Sequence, residues 1–191
     1  MPVNRLPIAL CLLLGACAPN TEPGMRTSED TYEAVRTVDA VTVTIPYTYT
    51  NATGETVYIN RCQEPDPPSL QKQQEGVWRT VYAPPRLLCL GPPVVIDAGG
   101  DHEGQLEVRA ALDPNSQPQW EVERVPGTYR LVLDIFGNLE PGGNGTNPLD
   151  LEQRVSNTFE ITERYERDAD ASGDASGLDE DADGPTGAGG G

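Results

Sequence analysis

From position 41 to 50 apolar and polar residues alternate without a break. Val41, Val43, Ile45, Tyr47 and Tyr49 fall on one parity, and Thr42, Thr44, Pro46, Thr48 and Thr50 on the other. A period of two is that of a half-buried strand, and the β-branched and aromatic content supports it. Pro46 has no N–H to give a ladder, so the strand is expected to lie at an edge, to bulge or to change sheets there. Asn51-Ala52-Thr53-Gly54 supplies a turn, and residues 56–60 return as a second strand. Residues 69–73 and 77–82 flank Gln74-Glu75-Gly76, the spacing of a hairpin with a three-residue loop, and Trp78 is its expected core anchor. Residues 94–96, 105–110, 128–135 and 157–161 read as further strands. Residues 120–125 read as an edge strand or as a loop with an inserted tryptophan.

Seven or eight short strands separated by turn signals, with no sustained helical period, predict an all-β fold, an antiparallel sandwich. The 20 glycines and 18 prolines argue the same way, against a helical bundle. Residues 18–37 mix Pro, Gly, Thr, Ser and Glu without a sustained period and read as a linker.

The apolar run of residues 6–14 follows the positive charge of Arg5. It is too short to span a bilayer, which takes about 20 apolar residues, and fits the apolar region of a secretory signal. Ala16-Cys17-Ala18 is a small-x-small site that ordinary cleavage would accept. Leu14-Gly15-Ala16-Cys17 together resemble the lipobox of bacterial lipoproteins. That resemblance implies a lipidated Cys17 at the mature N-terminus, where several acyl chains give stable membrane anchoring. Ala18 stands where an aspartate would favour retention in the inner membrane, so the resemblance favours the outer membrane of a cell that has one. The expected organisation is a signal peptide at 1–16, a lipidated linker at 17–37, a β domain at 38–163 and a disordered acidic tail at 164–191.

The domain also carries "NATGETVYI", "GVWRTVY" and "PGTYRLV" in that order. This order resembles bacterial Ig-like domains of envelope lipoproteins. Within it "VPGTYRL" resembles a tyrosine corner, in which Tyr129 bonds back to nearby backbone. Leu131 stands where antibody domains have a cysteine. The resemblance implies an Ig-like sandwich in a supporting role and brings no catalytic residues.

The 30 acidic and 13 basic residues give a formal net charge of −17. A chain this acidic is repelled by nucleic acid and by anionic headgroups, so a nucleic-acid partner is not expected. Outside the cytoplasm Cys62 and Cys89 are the two thiols left once Cys11 leaves with the signal and Cys17 takes lipid, and they are expected to pair as a disulfide. His102, the only histidine, sits in "GGDHEG", which reads as a turn; pairing with Cys89 for catalysis, or with both cysteines for zinc, is the weaker reading. Residues 168–179 place acids and a glycine on calcium-loop positions. Ala175 and the Gly-Pro run that follows suit a solvated tail better. Asn51 and Asn144 begin N-x-T triplets and read as turn residues. No cofactor, metal site or catalytic residue is expected. The role implied is non-catalytic binding or scaffolding of an unidentified envelope protein. The alternatives are a protease inhibitor inserting the proline loops at 64–68 and 83–93 and, behind it, a wall or glycan hydrolase.

Overall fold

The alternating pattern at 41–50 is realised in β3 (Ala40–Thr50), where every odd residue from Val41 to Tyr49 is buried. The computed structural model describes residues 24–61, 64–85, 91–121, 124–141 and 143–166. β3 pairs along its whole length with β8 (Asp101–Ala111), from Ala40 opposite Ala111 to Thr50 opposite Asp101. Its other side is shared by two short strands in line, β1 (Gly24–Thr27) against residues 47–50 and β2 (Thr31–Arg36) against residues 41–42. Pro46 falls between these two neighbours. Its carbonyl accepts from Ser28 N–H at 3.2 Å, so its backbone faces the gap, where a donor is not needed.

β12 (Phe159–Tyr165) lies parallel to β2 and antiparallel to β9 (Gly127–Val132). β9 pairs with β5 (Ser69–Gln74), and β5 with β6 (Val77–Tyr82). A second sheet holds β4 (Val57–Ile59), β7 (Val94–Ile96), β10 (Phe136–Leu139) and β11 (Gly145–Pro148) in the order β11-β10-β4-β7. One four-residue helix, α1 (Leu151–Arg154), precedes β12. The fold is all-β with mostly antiparallel pairing. Among the described residues it has twelve strands rather than seven or eight, and one parallel pair.

Two expectations are corrected here. Residues 24–36, read as linker, form β1 and β2, which bury Met25, Tyr32 and Ala34. The last strand runs on to Tyr165, past the expected boundary at 163. In both places the alternation is carried by only a few apolar residues, one of them alanine, too weak a signal to separate from loop. The leader, Cys17, both expected disulfide cysteines Cys62 and Cys89, and the calcium-like segment lie outside the described residues.

The outer strands of the large sheet, β8 and β6, are joined at one end through residues 118–121. Ala111 N–H donates to Pro118 O at 2.9 Å, Trp120 N–H to Ala111 O at 3.0 Å, and Glu121 N–H to Val81 O at 3.0 Å. This segment carries Trp120 into the core, where it is 3% exposed. Trp120, in a loop, is therefore the core indole. Trp78 is not the anchor expected: it stands opposite Gln73, on the face of β5 turned away from buried Leu70 and Lys72, with the Arg130 guanidinium 4.4 Å from its ring centre.

Candidate functional site

The join between β8 and β6 stops short of one end. Beyond Ala111, the Tyr82 hydroxyl spans the gap, donating to Glu107 O at 3.4 Å and accepting from Arg109 N–H at 3.5 Å. Farther along, toward Asp101, β8 faces a groove of about 500 Å³. Its far wall is Glu64, Pro65 and Pro67 before β5, with Pro84 after β6; its near wall is β8 from His102 to Glu107, with Tyr47 behind. Prolines from both segments singled out in the sequence, Pro65 and Pro67 from the first and Pro84 from the second, thus meet at one place. Pro68 is buried, so the first of them packs down as a wall.

The turn expected around His102 ends earlier, at Gly100, whose N–H donates to Asp97 O. His102 and Gly104 are therefore strand residues, on the same inward parity as Leu106, Val108 and Ala110. His102 pairs with Tyr49 and Gly104 with Tyr47. The Tyr47 ring crosses over Gly104 because that residue has no side chain: a Cβ there would lie 2.5 Å from the tyrosine oxygen. The same ring sits 6.2 Å from the His102 ring, tilted by 55°.

Burial sets the electrostatics of this corner. It raises the Tyr47 hydroxyl to about 12 and lowers the His102 imidazole below its usual 6.5. His102 Nε2 is sealed from solvent and meets no hydrogen-bond partner among the described residues. A general base needs an orienting hydrogen bond and a reachable proton, and this nitrogen is placed for neither. The arrangement gives a neutral aromatic floor with proline walls. Asp101, Glu103 and Glu107 stand exposed along the rim.

No protein-family model, curated protein or solved structure matches the chain. Among the described residues no cluster of three or more His, Cys, Asp or Glu side chains is arranged to hold a metal ion.

Tyr129 belongs to a separate, structural cluster. Its hydroxyl donates to Val125 O, four residues earlier. Lys72, the sole lysine, reaches the same loop from β5, with Nζ 2.5 Å from Arg124 O, 2.8 Å from Pro126 O and 3.5 Å from Val125 O. Burial and the Arg124 charge lower the Lys72 pKa, while Glu163 acts the other way. An ammonium capped by carbonyls on this scale braces a loop and is not poised as a nucleophile. Sequence reading found Tyr129 through "VPGTYRL" but missed Lys72, whose place between Leu70 and Gln74 carries no local sign of burial.

Proposed function

We propose that this chain is a lipid-anchored protein of the bacterial envelope, held at Cys17 in the outer membrane, whose Ig-like β domain binds a partner without catalysis. The groove beside β8 carries this reading. It gathers prolines from two loops, an imidazole whose Nε2 is sealed from solvent and a buried tyrosine on one face. Apolar walls with a few polar groups and a charged rim suit recognition. The tyrosine-corner contact is what supports the Ig-like assignment. The Cys62–Cys89 disulfide is part of the proposal, and non-reduced peptide mass spectrometry would show the pair as one cross-linked species.

The test is crosslinking in intact envelopes with wild type and with a Pro67→Arg, Pro84→Arg variant that fills the groove. An envelope protein recovered with wild type and lost in the variant is the expected result. Recovery unaffected by the variant moves the binding surface elsewhere. Turnover of glycan by the pure protein, abolished by a single carboxylate substitution, overturns the non-catalytic reading.

A further inference from the structure

The inward and outward alternation along β8 has a main-chain counterpart. Glu107 O and Arg109 N–H meet the Tyr82 hydroxyl, and Ala111 uses both its groups on residues 118 and 120. The odd residues of β8 thus turn their N–H and C=O away from β3. Pro46, opposite Gln105, agrees: its own carbonyl points to the far side of β3, toward Ser28. By the same alternation Glu103 and Gln105 direct both backbone groups into the groove, and neither meets a protein partner among the described residues. Among the described residues, the groove is therefore the open stretch of a strand edge. Proline, which has no N–H to offer, forms much of the opposite wall.

From this we infer that β8 accepts an extended peptide segment as an added antiparallel or parallel strand, and that the segment is basic. The inference rests on the binding reading of the groove and names its partner chemistry. An added strand places alternate side chains beside those of its neighbour. On the solvent face those neighbours are Glu103, Gln105 and Glu107, all exposed, so lysine or arginine fits there. On the other face they are His102, Gly104 and Leu106 with the proline walls, so small apolar side chains fit. A second copy of this chain would set the same acids against each other, in a protein of net charge −17.

The probe is a short peptide alternating lysine and valine, added to the mature full-length chain in detergent. Its binding is read by titration at two salt concentrations, and by hydrogen exchange at the Glu103 and Gln105 amides. Expected are binding weakened by salt and protection of those two amides. N-methylation of one alternate set of peptide amides should weaken binding about tenfold or more, while methylation of the other set is tolerated. Gln105→Pro removes only an outward-facing donor, so it should abolish binding with little change in melting temperature. Should that variant fold poorly, Glu103→Lys with Glu107→Lys provides the second arm: it should reject the lysine peptide and accept a peptide alternating glutamate and valine. Binding indifferent to which set is methylated, or unprotected amides at 103 and 105, would show charge adhesion only and overturn strand addition; absence of binding overturns it as well. Capture in the envelope experiment that is lost on filling the groove but kept by Gln105→Pro leaves the groove as a binding site and removes the strand mechanism alone.

Discussion

The Tyr47 ring lies across Gly104, its direct partner on β8, and reaches within 2.5 Å of where a Cβ would stand. A glycine in mid-strand ordinarily weakens a sheet. Here the missing side chain makes room for a ring that is only 4% exposed and closes the floor of the groove. Gly104→Ala should force the ring aside and lower stability by about 1–3 kcal/mol. In a Tyr47→Val background the same substitution should cost far less, and chemical denaturation of the four proteins of the cycle measures that coupling. Equal costs in the two backgrounds would mean that the ring does not depend on the glycine.

Much of this corner is legible from sequence, and what is not has a physical reason. The threonine and apolar alternation marked β3 fully, because each buried position holds a large side chain. β8 announces itself only from Gln105 onward. Its start, "DHEG", sets a half-buried imidazole and a half-buried glycine on the core parity, and both residues are commoner in turns. The groove itself depends on pairing between strands about 60 positions apart, Tyr47 with Gly104, and no local pattern records that. The Trp78 and Trp120 exchange has a similar origin. Hairpin spacing located Trp78 correctly on β6, but which face of a two-stranded unit is inward is set by its neighbours, here Lys72 and Leu70 of β5 against β9.

The half-buried imidazole of His102 makes stability depend on pH in a defined window. Folding lowers the pKa of His102 by burial, so just below 6.5 the unfolded chain binds more protons than the folded one. The contribution of His102 is complete above 6.5, falls as pH drops from 6.5 toward the folded value, and is constant below it. Thermal midpoints measured from pH 7.5 to 5 should therefore decline for wild type and stay flatter for His102→Gln. Parallel declines in the two proteins would assign the slope to other groups.

Asn51 is wholly buried, and its side chain is fully used. Nδ2 donates to Glu55 O at 2.7 Å and to Ile96 O and Asp97 O at 3.0 Å, while Oδ1 accepts from the Thr53 N–H and hydroxyl. One amide thus ties the turn after β3 to the turn before β8. It also leaves the Asn51 amide of the N-x-T triplet committed and buried in the folded chain. Asn51→Asp replaces the donor with a carboxylate oxygen facing three carbonyls, and a loss of about 2–4 kcal/mol is expected. Asn51→Asp with stability within a few tenths of a kcal/mol of wild type would contradict the network.

Lys72 and Tyr129 hold the same loop from two strands. The hydroxyl takes Val125 O, the ammonium takes Arg124 O and Pro126 O, and the ammonium also lies 5.4 Å from the centre of the tyrosine ring. Tyr129→Phe removes one buried hydrogen bond and should cost about 0.5–1.5 kcal/mol. Lys72→Met keeps the apolar stem but leaves two carbonyls without their donor, and should cost more, about 2–4 kcal/mol. Because both groups fix one loop, the double variant should lose less than the sum of the singles. A chemical signature separates this brace from an ordinary surface lysine. With Lys72 only 7% exposed and its ammonium committed, amine acylation of the folded protein should leave Lys72 untouched, and brief unfolding in denaturant should expose it. Acylation of Lys72 at the same rate before and after unfolding would mean the ammonium is free, and the brace, with the loop geometry that depends on it, would have to be abandoned.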